Sequence, residues 1–198
     1  MSKQWIITTE KYLDQAEIAQ LRKVIEKAKL YAQSHGRQRG VRDHAIIELA
    51  LGTGLRVSEI SDLKVEDLTL RREASLIVRS GKGGKMREVR FSSRLKDIIK
   101  DYLNYRDSTS EYAFYTGHSD KMSVSALQQV FKKYAREAGL SEKYSIHACR
   151  HSYAVLLFAA SGYNLKLVQH QLGHASITTS SVYLSVQNEE LNEAVEKL

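Results

Sequence analysis

No proline interrupts the chain, and Cys149 is the single cysteine among 198 residues. One cysteine excludes an internal disulfide framework and suits a reducing compartment such as the cytoplasm. Without proline or a Gly/Ser-rich stretch, no linker divides the sequence, so one domain over residues 1–198 is expected. Long apolar runs are missing too. The longest, from Tyr153 to Ala160, falls far short of the roughly 20 residues that span a bilayer, so no membrane partner is expected. No charged-then-apolar leader opens the sequence, and no internal repeat or low-complexity tract breaks it.

What the chain has in excess is positive charge. Thirty Lys and Arg against 23 Asp and Glu leave a formal +7. Such a surplus fits a polyanionic partner, because neutralising a phosphate backbone releases condensed counterions. Charge alone does not separate nucleic-acid binders from other basic proteins.

Helical patterns dominate. Asp14 with Glu17 three residues on reads as a capping box, followed by Ile18, Leu21, Val24, Ile25, Ala28 and Tyr31 at helical spacing, with Gly36 as a stop. A polar loop carrying Arg37, Arg39 and Arg42 is expected next, then helices over about 44–50 and 57–64, separated by Gly52-Thr53-Gly54. Residues 74–79 and 86–91 are short and β-prone around Gly81-Lys82-Gly83-Gly84-Lys85, a hairpin with a glycine-loosened tip. Helices are expected again over 93–105, 123–138, 147–161, 165–172 and 188–198. The fold class is therefore mainly α with a small antiparallel β-hairpin.

Several residues could carry chemistry. Arg56 follows two glycines and precedes a helix, so it could face an anion at a helix mouth; a surface pair with Glu59 one turn away is the plainer reading. Lys82 and Lys85 lie on the loosened hairpin tip, where a solvated turn is the ordinary alternative. His147 and Arg150 share a helix face and could converge on one phosphate. His147 and His151 have a zinc-compatible spacing, but the Glu of H-E-x-x-H is missing and no third ligand is evident, so no metal is assigned. Cys149 reads as buried packing. Tyr183 is one of eleven tyrosines, and its neighbours alone do not single it out.

Taken in order, these segments resemble the tyrosine recombinase (phage integrase) family. The resemblance rests on Gly54-Leu55-Arg56-Val57-Ser58-Glu59, Gly81-Lys82-Gly83-Gly84-Lys85-Met86-Arg87, His147-Ala148-Cys149-Arg150-His151, Val168-Gln169-His170-Gln171-Leu172-Gly173-His174 and Thr179-Ser180-Ser181-Val182-Tyr183. It implies a tyrosine recombinase catalytic-domain fold with an active site of Arg56, Lys82, His147, Arg150, His174 and Tyr183, supported by Glu59. Lys85, Arg87, Arg37 and Arg39 are expected on the DNA. The implied activity is site-specific strand cleavage and rejoining through a 3′-phosphotyrosine, in integration, excision, inversion or resolution, with no cofactor. The implied partner is double-stranded DNA. The chain is expected to be a monomer in free solution and a homotetramer on DNA, with accessory DNA-bending proteins or a partner recombinase also admitted. A bacterial or archaeal cytoplasm, with association to the nucleoid, is the expected location.

Two departures from the family pattern stand out. Most family members carry an upstream helical clamp of roughly one domain's length, about a hundred residues, whereas the resemblance here begins near Tyr12. Either a natural catalytic domain without that clamp or a fragment is therefore expected. Cys149 and Gln171 stand where leucine is usual, which should alter packing more than chemistry. The competing readings are a DNA-binding module without catalysis, a type IB topoisomerase-like enzyme, and a helical RNA-binding domain; the last explains the charge but not the ordered motifs. The stripe of Leu191, Val195 and Leu198 is expected to form a tail helix over 188–198 that packs on its own domain or on a neighbouring protomer.

Overall fold

A computed structural model describes residues 12–79 and 86–173. Helix α1 (Gln15–Ser34) opens on the expected capping box: the Glu17 amide donates to Asp14 Oδ1 at 2.7 Å, and the Asp14 amide to Glu17 Oε2 at 3.0 Å. Its stripe of Ile18, Leu21, Ile25 and Ala32 is buried along helix α2 (Gln38–Thr53). The two helices cross closely at Gly40, where a Cβ would sit 2.5 Å from the Ala28 carbonyl oxygen and 2.6 Å from Ala32 Cβ. Only glycine fits that approach without moving backbone.

Helix α2 is the axis of the core, with residues 43 to 51 all buried. It starts earlier than the sequence suggests. The expected loop at Arg37–Arg42 is instead a cap residue and the first turns of α2. Its opening is polar because Arg42 is held by Asp43 and by the Tyr115 carbonyl, so the apolar period becomes visible only farther along. Gly54, at φ +63°, ends α2 and turns the chain into α3 (Val57–Asp62).

A 3-10 turn at Val65–Asp67 leads into a three-stranded antiparallel sheet of β1 (Leu68–Thr69), β2 (Ser75–Val78) and β3 (Arg87–Arg90), in the order β1-β2-β3. The expected hairpin is β2–β3. Strand β1 is additional, and two residues are too few to show an alternation. Leu68, Leu76 and Val89 align across the sheet, and the fully buried Leu76 and Val89 rest on the core.

Helices α4 (Ser93–Tyr105) and α5 (Val124–Glu137) are capped by Ser92 and Ser123 and bury Leu95, Ile99 and Tyr102, and Leu127, Val130, Phe131 and Tyr134. Truncating such a fully buried leucine to alanine typically costs about 2–5 kcal/mol. Helix α6 (His147–Ala160) crosses α2, and α7 (Leu165–Leu172) packs on both α6 and β3. Ala154, Phe158, Val168 and Leu172 form a second, small core between α6 and α7. No helix among the described residues is long and apolar enough to cross a membrane. The expected tail helix lies outside the described residues.

Candidate active site

The left-handed turn at Gly54 joins the parts of the site. A Cβ at this position would lie 2.5 Å from Tyr153 Cδ1 and 2.8 Å from Leu172 Cδ2, so the turn nests against both α6 and α7. Its carbonyl accepts a hydrogen bond from Arg150 Nη1 at 2.6 Å, while Arg150 Nη2 donates to the Leu172 carbonyl at 2.9 Å. The second acceptor is a C-terminal carbonyl of α7, where the helix dipole favours a cation. Arg150 is thereby fixed in a nearly buried position.

Two residues beyond Gly54, Arg56 occupies the cap of α3. Its Nη1 donates to Glu59 Oε1 at 2.8 Å and its amide to Glu59 Oε2 at 2.8 Å. Glu59 also accepts from Arg87, with Nη1 on Oε1 and Nη2 on Oε2, both at 2.9 Å. Arg150 Nη1 stands 4.0 Å from the same carboxylate. Burial pushes the Glu59 carboxyl up most strongly, but the hydrogen bonds and charges of Arg87 and Arg56 outweigh it and hold the group below its usual range. Glu59 is an anion gathering three guanidinium groups.

His147 opens α6 one turn before Arg150. Its imidazole is held below its ordinary 6.5, first by desolvation and then by the charges of Arg150 and Arg56. The residue keeps a solvent-exposed edge, so the two nearby cations are the persistent cause. A neutral imidazole at neutral pH can accept a proton as well as donate one. Cys149, fully buried beside it, has a thiol pushed up to about 12 by burial, as expected of packing rather than of a nucleophile.

Arg56, Glu59, His147 and Arg150 therefore come together from two separate stretches of sequence. Lys82, Lys85, His174 and Tyr183 lie outside the described residues. Arg37 stacks its guanidinium near the Tyr31 ring at 5.8 Å, and Arg39 lines grooves at the start of α2. These two stand at the far end of α2 from Gly54, about 25 Å away at the helical rise per residue. A cavity of about 730 Å³ also opens at that end, between Arg39, Arg42, Tyr115 and Lys133. It is not lined by the arginine cluster.

Arg87, expected on the DNA, turns its guanidinium inward to Glu59. Only the inward face was signalled in the sequence, and not the partner: Arg87 and Val89 share one strand face, and Val89 is the apolar residue that must point inward. Gln171 also does more than pack. Its Nε2 donates to the Arg90 carbonyl at 2.5 Å and to Tyr153 Oη at 3.2 Å, tying α7 to β3 and α6. Among the described residues, no group of three or more His, Cys, Asp or Glu side chains could hold a metal ion.

This arrangement matches known proteins. The phage integrase family model matches residues 11–190. The chain belongs to the phage integrase family. Within curated members of that family, it is 37% identical over 193 residues to the tyrosine recombinase XerA of Pyrococcus furiosus, covering 96% of this chain and 62% of that protein. It is 38% identical over 158 residues to the tyrosine recombinase XerD of Ralstonia nicotianae, covering 77% of this chain and 51% of that one. The chain thus spans roughly half to three-fifths of the curated relatives it matches. A XerA recombinase crystal structure superposes with a TM-score of 0.75 at 26% identity, covering 94% of this chain and 66% of that one. The XerH site-specific recombinase, in a post-cleavage complex with its palindromic difH substrate, superposes with a TM-score of 0.77 at 28% identity, covering 95% and 53%. The fold is that of the tyrosine recombinase catalytic domain, and the Glu59-braced arginines sit in this integrase-family framework.

Proposed function

We propose that this chain cleaves and rejoins double-stranded DNA by transesterification, with Tyr183 as nucleophile. The observation that carries the reading is the convergence of two anchored guanidinium groups, Arg56 and Arg150, beside the neutral imidazole of His147. Attack of the Tyr183 phenol oxygen on phosphorus forms the phosphotyrosine bond and breaks the bond to the 5′-oxygen. Charge builds on the non-bridging oxygens as this happens, and guanidiniums fixed beforehand stabilise it without reorganising. His147 takes the phenol proton, His174 donates to the same phosphate oxygens, and Lys82 protonates the departing 5′-oxygen. The 3′-phosphotyrosine conserves the bond energy, so the 5′-hydroxyl of another strand reverses the step.

In this reading Lys85, Arg37 and Arg39 contact the DNA backbone. The chain is a monomer in solution that assembles as a homotetramer on DNA, with the 188–198 segment exchanged between protomers. XerH superposes in complexes with its difH substrate both before and after cleavage, which supports duplex DNA as the substrate class.

The test is covalent capture. The chain is incubated with a pool of random-sequence nicked duplexes that trap the cleaved state, denatured, and the protein-linked strands are sequenced. Wild type should retain a restricted set of sequences joined through a 3′-phosphate, and Tyr183→Phe should retain none. Wild type without adduct, or adduct persisting in Tyr183→Phe, would overturn the proposal.

A further inference from the structure

Arg87 lies at the start of β3, at the edge of the described hairpin, in the kind of place where a basic residue is expected to meet a phosphate. Its surroundings say otherwise. The side chain is only 10% exposed, and each guanidinium nitrogen already has a protein acceptor. Nη1 and Nη2 each hold one Glu59 oxygen at 2.9 Å, and Nε donates to the Gln171 carbonyl at 3.3 Å. The side chain lies flat over Gly173, where a Cβ would meet Arg87 Cδ at 2.8 Å and Nε at 3.0 Å. Gly173 is the left-handed cap of α7 and the residue immediately before His174.

Three elements therefore meet on one guanidinium: β3, the end of α7, and α3 through Glu59. Glu59 has four hydrogen bonds, two from Arg87 and two from Arg56, which fill the in-plane positions of its two oxygens. Without Arg87 the buried carboxylate would answer only to Arg56 and the more distant Arg150. It would draw both toward itself and compete with a phosphate for them. A planar fork is the side chain that can hold both oxygens at once, which an ammonium cannot.

We propose that Arg87 is a positioning residue for strand cleavage. It holds Glu59 so that Arg56 and Arg150 stay presented to the scissile phosphate, and it locks β3 to the end of α7 rather than touching DNA. This rests on the strand-cleavage reading above.

The test uses the full chain and a nicked duplex recovered by wild type from the random pool. Arg87→Gln and Arg87→Lys are compared with wild type for adduct formation at saturating DNA, for DNA affinity across a salt series, and for thermal unfolding. Displacing the arginines by a fraction of an ångström to an ångström should slow adduct formation about tenfold to a hundredfold in Arg87→Gln. The slope of log affinity against log salt should match wild type, and Arg87→Lys should recover part of the rate while staying folded. A rate within about threefold of wild type in both variants overturns the positioning role. So does a salt slope smaller by about one, the mark of a lost phosphate contact. If Arg87→Gln unfolds, the folded Arg87→Lys carries the same comparison through its rate and slope. A wild type that forms no adduct with any duplex overturns the cleavage reading itself, which separates the two failures.

Discussion

Two buried glutamates, Glu48 and Glu59, each collect arginines from neighbouring elements, yet they serve different ends. Glu48 on α2 receives both Nη atoms of Arg94 from α4, at 2.9 and 2.6 Å, and Nε of Arg22 from α1, at 3.2 to 3.3 Å. Those arginine side chains are 55% and 40% exposed. They reach in from the surface, cover one carboxylate and keep most of their hydration, stapling three helices together. Around Glu59 the cations are themselves withdrawn from water: Arg87 and Arg150 are nearly buried and Arg56 is half-buried. Three crowded guanidiniums on one carboxylate, two of them nearly buried, are a poor way to gain stability, because desolvation and like-charge repulsion oppose them. Such a concentration of positive charge is poised for an anion from outside. The lesson is that the exposure of the cations, not the presence of a buried ion pair, distinguishes the staple from the site.

Breaking each centre should expose that difference. Glu59→Gln removes the anion held by the Arg87 fork, and the nearly buried Arg87 cannot rehydrate in place, a loss of about 3–5 kcal/mol in chemical denaturation. Glu48→Gln should cost less, about 1.5–3 kcal/mol, since Arg22 and Arg94 can swing into water. Equal losses would remove the distinction drawn from exposure.

Acid should act on both centres in turn. The Glu48 carboxyl is pushed up most by burial, but the Arg94 hydrogen bonds and the arginine charges outweigh that and hold it below its ordinary 4.5, as for Glu59. Their stabilisation is complete above the unfolded value and is lost as pH falls through the lower folded values. His44, 2.9 Å from Glu26, is held below 6.5, first by burial, with Glu26 opposing the shift. The unfolded chain therefore binds a proton near 6.5 that the folded chain resists, so stability falls as pH drops below that value. Thermal unfolding should show a plateau at neutral pH, a shallow decline beginning near 6.5, and a steep one below 4.5. His44→Gln should shrink the shallow limb, to which His147 also contributes, and leave the steep one.

Much of this was legible in the sequence. The capping box at Asp14 and Glu17, and helices α4 and α7, were readable because their caps and apolar stripes are local. The order of motifs around Arg56, His147 and Arg150 carried the family and the pairing of the two arginines. The first turns of α2 were not legible, because Arg42 and Asp43 satisfy one another and mask the apolar period. Neither was Arg87 beside Glu59: 28 residues separate them, and only the sheet register brings them together. Gln171 looked like a packing change because its partners, Arg90 and Tyr153, come from elements that meet only in the folded chain.

In the proposed function the Glu59-braced guanidiniums act on the reacting phosphate rather than on the fold. Arg56 tests it most directly, being the most exposed of the three. Arg56→Lys keeps the charge and removes the fork. Adduct formation at saturating DNA should fall by about a hundredfold to a thousandfold, as for loss of a preorganised donor, with thermal unfolding and DNA affinity near wild type. Adduct formation within about threefold of wild type in a folded Arg56→Lys chain would contradict the account.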